Sequence, residues 1–167
     1  MRIAIPKETH PGENRVPITP DHAKKLCRLG ANLVIESGMG IGSGFTDSEY
    51  EEAGATVSQD RNELISSADV LLRLRKPGLD EIANMKNGAI HISYLDPFNE
   101  HALVNAFKDA GITAISMEMI PRTTRSQKMD ALSSQANLAG YVMVMKAATY
   151  LPSILPILSL SFILAIK

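Results

Sequence analysis

Cysteine is almost missing from this sequence: Cys27 is the only one in 167 residues, so no internal disulfide can form. Its place on the helix-like stretch 23–29 suits ordinary packing, and a reducing compartment is compatible with it. Charge of one sign is missing as well. The formal net charge is −1, which leaves no basic field to hold nucleic acid or an anionic lipid surface. Metal-ligand spacing is absent, because His10, His22, His91 and His101 are scattered and none has a carboxylate or cysteine at ligand distance in the chain. No Ser-His-Asp order or G-x-S-x-G elbow occurs, and nowhere is there a G-x-G-x-x-G dinucleotide turn. The opening apolar run, 3–6, is far too short for a secretory signal.

One long uncharged stretch does occur, at 147–166, and its length approaches a membrane span. Pro152 and Pro156 would damage a helix interior there, and Ser153, Ser159 and Ser161 interrupt it further. The stretch reads as a core helix of a larger fold rather than a transmembrane segment. With 45% hydrophobic and 21% charged residues, the chain as a whole has the make-up of a soluble globular domain. Its length suits one domain with a core of its own.

Strand-like and helix-like segments alternate from the start. Residues 2–7 have the apolar density of a buried strand, and 10–14 carry turn chemistry in Pro11 and Gly12. Thr19, Pro20 and Asp21 open a helix as N-cap, first helical residue and first-turn acid, and Gly30 stops it. Residues 32–36 form the second strand. Thr46 with Glu49 makes a capping box for a short helix ending near Gly54. Strands then follow at 55–58, 69–75, 88–94 and 113–118, separated by helices at 61–68, 79–85 and 99–110. Such alternation predicts an α/β fold: a parallel, flavodoxin-like (Rossmann-like) sheet with helices on both faces. Functional loops of a parallel sheet gather at the carboxyl ends of its strands. Here those loops begin at Lys7, Ser37, Arg75, Leu95 and Met119.

Four features compete for chemistry. The run from Gly38 to Gly44 follows a strand, but its glycines alternate strictly and Phe45-Thr46 intervenes before the helix, so it reads as a structural loop and not a phosphate cradle. Arg15 admits two readings, a clamp for a carboxylate or phosphate, or an ion pair with Glu8 or Glu13. Arg73 and Arg75 alternate with Leu72 and Leu74, which puts both on one strand face, more a solvated edge than a site. The densest polar segment is 121–135, directly after the last strand. Its two arginines, glutamine, aspartate and serines offer donors and acceptors suited to a sugar, an amide and phosphates, the alternative being a polar surface loop. Ser133 or Ser134 can cap the helix that follows, which runs to about 151.

The sequence from Pro121 through Arg122, Arg125, Gln127, Asp130 and Ser133 to Tyr141 resembles the signature of the alpha subunits of proton-translocating NAD(P) transhydrogenases. Ile5-Pro6-Lys7-Glu8 with the stretch from Arg15 to Pro20 resembles the start shared by those subunits and alanine dehydrogenases, and Phe45-Thr46-Asp47 and Ala53-Gly54-Ala55 match too. The likeness covers roughly 1–156 and lapses from about Ile157. It implies that Arg122 and Gln127 contact the nicotinamide amide of NAD(H), while Asp130 and Ser133 fix the ribose and carboxamide. It also implies an NADP(H)-binding beta subunit and a membrane proton-channel subunit as partners, a homodimer, and a cytoplasmic location peripheral to the inner membrane.

At the positions where alanine dehydrogenases carry a substrate lysine and histidine, this chain has Arg75 and Asp96. Arginine is a poor proton carrier, whereas hydride exchange between two nicotinamides needs orientation rather than acid/base groups. The transhydrogenase half therefore fits better than an alanine-dehydrogenase-like oxidoreductase or a non-catalytic remnant. Residues 1–141 are expected to form the family domain, with 142–167 continuing a bridging helix into an apolar tail. The chain is expected to be truncated, lacking the second, glycine-rich nucleotide domain, and silent alone.

Overall fold

Apolar side chains spaced two apart divide each strand of this protein between two faces of one sheet. A computed structural model describes residues 1–151. It forms two compact units, Met1–Ile120 and a second that begins at Pro121. In the first, β1 (Arg2–Ile5), β2 (Asn32–Glu36), β3 (Thr56–Ser58), β4 (Val70–Leu72), β5 (Ile90–Ser93) and β6 (Thr113–Ser116) alternate with five helices. Those helices are α1 (Pro20–Arg28), α2 (Asp47–Glu52), α3 (Arg61–Ser66), α4 (Leu79–Ala83) and α5 (His101–Asp109). Every strand pair is parallel, in the order β3-β2-β1-β4-β5-β6. This is the doubly wound Rossmann arrangement, in which the strand order reverses between β1 and β4.

Alternation does the sorting. Ala4, Val34 and Leu71 join Leu64, Ile65, Ile82, Leu103 and Phe107 from α3, α4 and α5 in one apolar cluster. Their neighbours Ile3, Ile5, Leu33 and Ile35 join Ala23 of α1 and Tyr50 of α2 in the other. Helices therefore cover both faces, as the continuous apolar strands require. Full burial of each Leu or Ile contributes about 1.5–3 kcal/mol.

Local chemistry shapes the elements. Thr46 accepts from the Glu49 N–H at 3.4 Å while the Glu49 carboxylate accepts from the Thr46 N–H at 2.7 Å, the expected capping box. Thr19 does stand at the N-cap of α1, but its hydroxyl makes no capping bond; it pairs instead with the His22 imidazole at 2.8 Å. The glycine run is structural. The Asp47 carboxylate takes the Gly38 N–H at 2.8 Å, and a Cβ on Gly40 would lie 2.7 Å from the Tyr50 ring and 2.8 Å from the Phe45 carbonyl. Gly38 itself has φ +72, where a side chain is strained.

The second unit contains a 3-10 turn, Gln127–Met129, and the long helix α6 (Ala131–Tyr150). Its N-cap is Asp130, not Ser133 or Ser134. The carboxylate accepts from the Leu132 and Ser133 N–H groups at 3.0 and 3.2 Å, and an aspartate one turn earlier leaves the serines inside the helix. Among the described residues no helix is long and apolar enough to cross a membrane. The apolar tail from 152 onward lies outside the described residues.

Candidate functional site

Four strand ends meet at the switch point. The loops after β1, β4, β5 and β6 enclose a cleft of about 520 Å³, lined by Glu8, Thr9 and His10, then Arg73 and 75–78, then Tyr94 and Asp96, and finally Glu118. Three of the expected loop starts, Lys7, Arg75 and Leu95, mark its walls to within a residue, and Glu118 stands just before Met119; the loop at Ser37 does not reach it. The strands end earlier than their apolar pattern suggests, and residues just past their carboxyl ends build this wall. Glu8 accepts from the Leu74 N–H at 2.6 Å and ties the β1 and β4 loops together. Glu118 accepts from the Leu95 N–H at 2.9 Å, from the Asp96 N–H and from the Ser116 hydroxyl at 2.6 Å. Burial opposes ionisation of Glu118, but the Ser116 hydroxyl and the backbone donors outweigh it and hold the carboxyl below its ordinary range.

Asp96 has φ +52, the one non-glycine residue with positive φ among the described residues. Aspartate tolerates that region better than most side chains. Its carboxylate accepts from the Asn99 amide at 2.9 and 3.1 Å.

The two β4-end arginines part company. Arg73 is buried, at 4% exposure, and is no solvated edge; Arg75 is exposed. β4 stops at Leu72, so strict alternation no longer governs where the two point. Arg73 donates to Glu81 at 2.7 Å, Arg61 donates to the same carboxylate at 2.6 and 3.0 Å, and Arg61 also reaches Glu36 at 2.5 Å. Burial would raise the Glu81 pKa, yet Arg73 and Arg61 bring it down to about 2. The buried His91 beside this network is held at about 3, first by burial and then by the Arg73 charge. One of its ring nitrogens lies 2.9 Å from the Ser93 hydroxyl, and the ring packs 5.1 Å from that of Phe107.

Arg15 resolves toward its ion-pair reading, with Glu13 and not Glu8 as the bonded carboxylate. Its Nε and Nη2 each donate to Glu13 at 2.7 Å, and Arg75 Nε donates to the same carboxylate at 2.8 Å. The Arg15 hydrogen bond, against some opposing burial and with help from Arg75, brings Glu13 down to about 2. Glu81 did not stand out in the sequence, and Glu13 did so only as one of two possible partners for Arg15. Glu81 had a signal, as a first-turn acid facing a strand-end arginine; Glu13 had only its nearness to Arg15.

In the second unit, Arg122, Gln127, Asp130 and Ser133 line one pocket of about 210 Å³ with Thr123 and Thr124. All four residues singled out in the sequence thus come together, and the two threonines are additions. Asp130 accepts the Ser133 hydroxyl proton at 2.6 Å, which leaves the Ser133 oxygen to act as an acceptor. That bond, the Ser133 and Leu132 N–H groups and the Arg122 charge keep the Asp130 carboxyl below its ordinary range. Among the described residues no group of His, Cys, Asp and Glu could hold a metal ion.

Comparison with known proteins agrees with the parallel α/β fold. The profile of the alanine dehydrogenase/PNT N-terminal domain matches residues 4–139. An NAD(P) transhydrogenase alpha-subunit polypeptide of Rhodospirillum rubrum is 43% identical over 153 residues, which cover 89% of this chain and 40% of that protein. The crystal structure of transhydrogenase from Sinorhizobium meliloti superposes with a TM-score of 0.85 at 42% identity, over 95% of this chain and 47% of that one. A structure of L-alanine dehydrogenase is more distant, with a TM-score of 0.70 and 30% identity over 75% of this chain and 35% of that one. The chain spans less than half the length of these relatives. Its sequence and its sheet place it in the alanine dehydrogenase/PNT N-terminal domain family.

Proposed function

We propose that this chain is the NAD(H)-side portion of a proton-translocating transhydrogenase, with Arg122, Gln127, Asp130 and Ser133 holding the nicotinamide end of the nucleotide. The observation that carries the reading is the polar pocket in which those four side chains converge. Its volume of about 210 Å³ falls below the range for a whole drug-sized ligand and suits one end of a dinucleotide. Donor and acceptor types fit that end. The Ser133 oxygen, with its proton committed to Asp130, accepts from a carboxamide NH₂, while the Gln127 amide and the Arg122 guanidinium donate to the carboxamide oxygen and its surroundings. Asp130 keeps acceptor capacity for a ribose hydroxyl. When bound, NADH supplies the hydride that passes to NADP on a partner subunit; the residues of this chain orient the ring and carry no proton.

The 167 residues contain no G-x-G-x-x-G turn to cradle a pyrophosphate, so binding by this chain alone is weak and the chain is inactive by itself. We assign 1–141 to the nucleotide-side domain and 142–167 to a bridging helix and tail. An NADP-binding beta subunit, a membrane proton-channel subunit and a second copy of the chain are its partners, in the cytoplasm at the inner membrane. The alanine-dehydrogenase reading has less support, since an arginine such as Arg75 is a poor proton carrier and Asp96 is committed to Asn99.

Saturation-transfer NMR with NADH tests this. Nicotinamide protons should receive saturation from the parent chain, with calorimetry giving a Kd weaker than about 100 μM. Arg122→Ala and Gln127→Ala should abolish the transfer and Asp96→Asn should not. Transfer that survives both pocket variants removes the reading.

A further inference from the structure

Helices lie on both faces of the sheet, but they do not cover the two equally. On the interior strand β5, His91 and Ser93 are fully buried, and the His91 ring packs on Phe107 of α5. Ile90 and Ile92 alternate with them on the opposite face and are only half-buried. Register carries this across three strands. Val70 and Leu72 of β4, also half-buried, pair with Ile90 and Ile92, and Ile92 pairs with Ile115 of β6, which is 42% exposed. Ile3 and Ile5 of β1 share this face and are buried, because Ala23 of α1 and Tyr50 of α2 join their cluster. Val70 and Leu72 reach the margin of that cluster; Ile90, Ile92 and Ile115 belong to neither apolar cluster. Parallel strands with continuous apolar runs are ordinarily buried on both sides, so half of this face lacks its cover.

The gap has the dimensions of a helix. Strands lie about 4.8 Å apart, so β4 to β6 span about 10 Å, the width of one helix. A stripe without charge calls for a helix almost without charge, and α6 is one: Lys146 is the only charged residue in 131–150. Leu138, Tyr141, Val142 and Met145 recur at the i, i+3, i+4, i+7 spacing of one helix face, and each is more than half exposed. A single chain thus carries both an open sheet face and an open helix face. Exchange between two copies satisfies both, and a two-fold arrangement makes the contact twice, doubling the apolar surface removed from water.

We propose that the β4–β5–β6 face receives helix α6 of a second copy, in a two-fold dimer in which each chain covers the open half-sheet of the other. This rests on the second-copy partnership proposed above and assigns its two surfaces. The nicotinamide pocket takes no part, since the helix stripe begins at Leu138, beyond Ser133.

Sedimentation velocity should show the parent chain assembling as far as a closed dimer of twice 18.1 kDa. Ile92→Lys/Ile115→Lys on the sheet and Val142→Glu/Met145→Glu on the helix should each weaken the dimer at least about tenfold. Where the first pair prevents folding, Ile115→Lys alone serves, its position being exposed already. A mixture then decides. Methyl resonances of Ile90, Ile92 and Ile115 in the labelled helix variant should shift saturably when the unlabelled sheet variant, which keeps its α6, is added. More of the unlabelled helix variant should leave them in place. A sheet variant that dimerises as tightly as the parent, or methyl signals that stay put in the mixture, overturns the assignment while leaving a dimer standing. A parent chain that is monomeric throughout overturns the second-copy partnership too. No nucleotide enters these measurements, so the nicotinamide reading stands or falls separately.

Discussion

His91 sits fully buried in the middle strand of one half-sheet, with the Arg73 charge at its side. Its imidazole is held near 3 in the folded chain against 6.5 when free. Between those values the unfolded chain takes up a proton that the folded chain refuses. Stability is therefore unaffected above about pH 6.5 and falls as the pH is lowered through that window, with a limiting slope of about 1.4 kcal/mol per pH unit. Glu13 and Glu81 act in the same direction lower down, from 4.5 toward about 2, because both are ionised in the fold by their arginines. Urea denaturation at a series of pH values should show the first decline already between pH 6.5 and 5. His91→Gln should flatten that portion and leave the decline below 4.5. An unchanged profile in the variant would show that His91 does not titrate on unfolding as described.

The glycine run illustrates how far an element's meaning can be read from its neighbours in sequence. Strict alternation of glycines already argued against a phosphate cradle, and the structure supplies the reason they are there. Gly40 is required by close approach, with the Tyr50 ring and the Phe45 carbonyl where a Cβ would stand. Tyr50 cannot yield, since it is buried and its hydroxyl donates to the Ile18 carbonyl at 2.8 Å. Gly40→Ala should therefore cost about 1–3 kcal/mol by overpacking, measured by denaturation. NADH saturation transfer should persist under conditions where the variant remains folded, and its selective loss there would implicate the loop in binding after all. Helix and strand identities were legible throughout, because periodicity and caps are local. One cap was misjudged for a local reason of another kind, since Asp130 preceded the serines as a stronger acceptor; Thr19 holds its expected N-cap place, though its hydroxyl bonds the His22 side chain.

At the scale of the molecule the outstanding feature is α6. Leu138, Tyr141, Val142, Met143, Val144 and Met145 are each more than half exposed. Contiguous apolar surface of that kind drives association in water. Sedimentation velocity should show a weight-average mass that rises with concentration across the micromolar range, and Val142→Glu with Met145→Glu should reduce the rise. A chain that stays monomeric at all concentrations would mean that this surface is not sticky in solution.

The family resemblance supplied the choice of Arg122, Gln127, Asp130 and Ser133; the sequence by itself determined the order of strands and helices along the chain, the parallel sheet with two covered faces, and the polar segment 121–135. Each of these depends on spacing along the chain: period two for strands, a cap and a face for helices, and donors and acceptors gathered within a few turns. Only the tertiary structure decided which carboxylate each arginine takes. Arg75 meets Glu13 across 62 positions and Arg61 meets Glu81 across 20, while Arg73 goes inward and Arg75 stays out. Ion pairs form by distance in space and by what burial leaves available, so no local pattern announces them, and the cleft at the strand ends is built from such pairs.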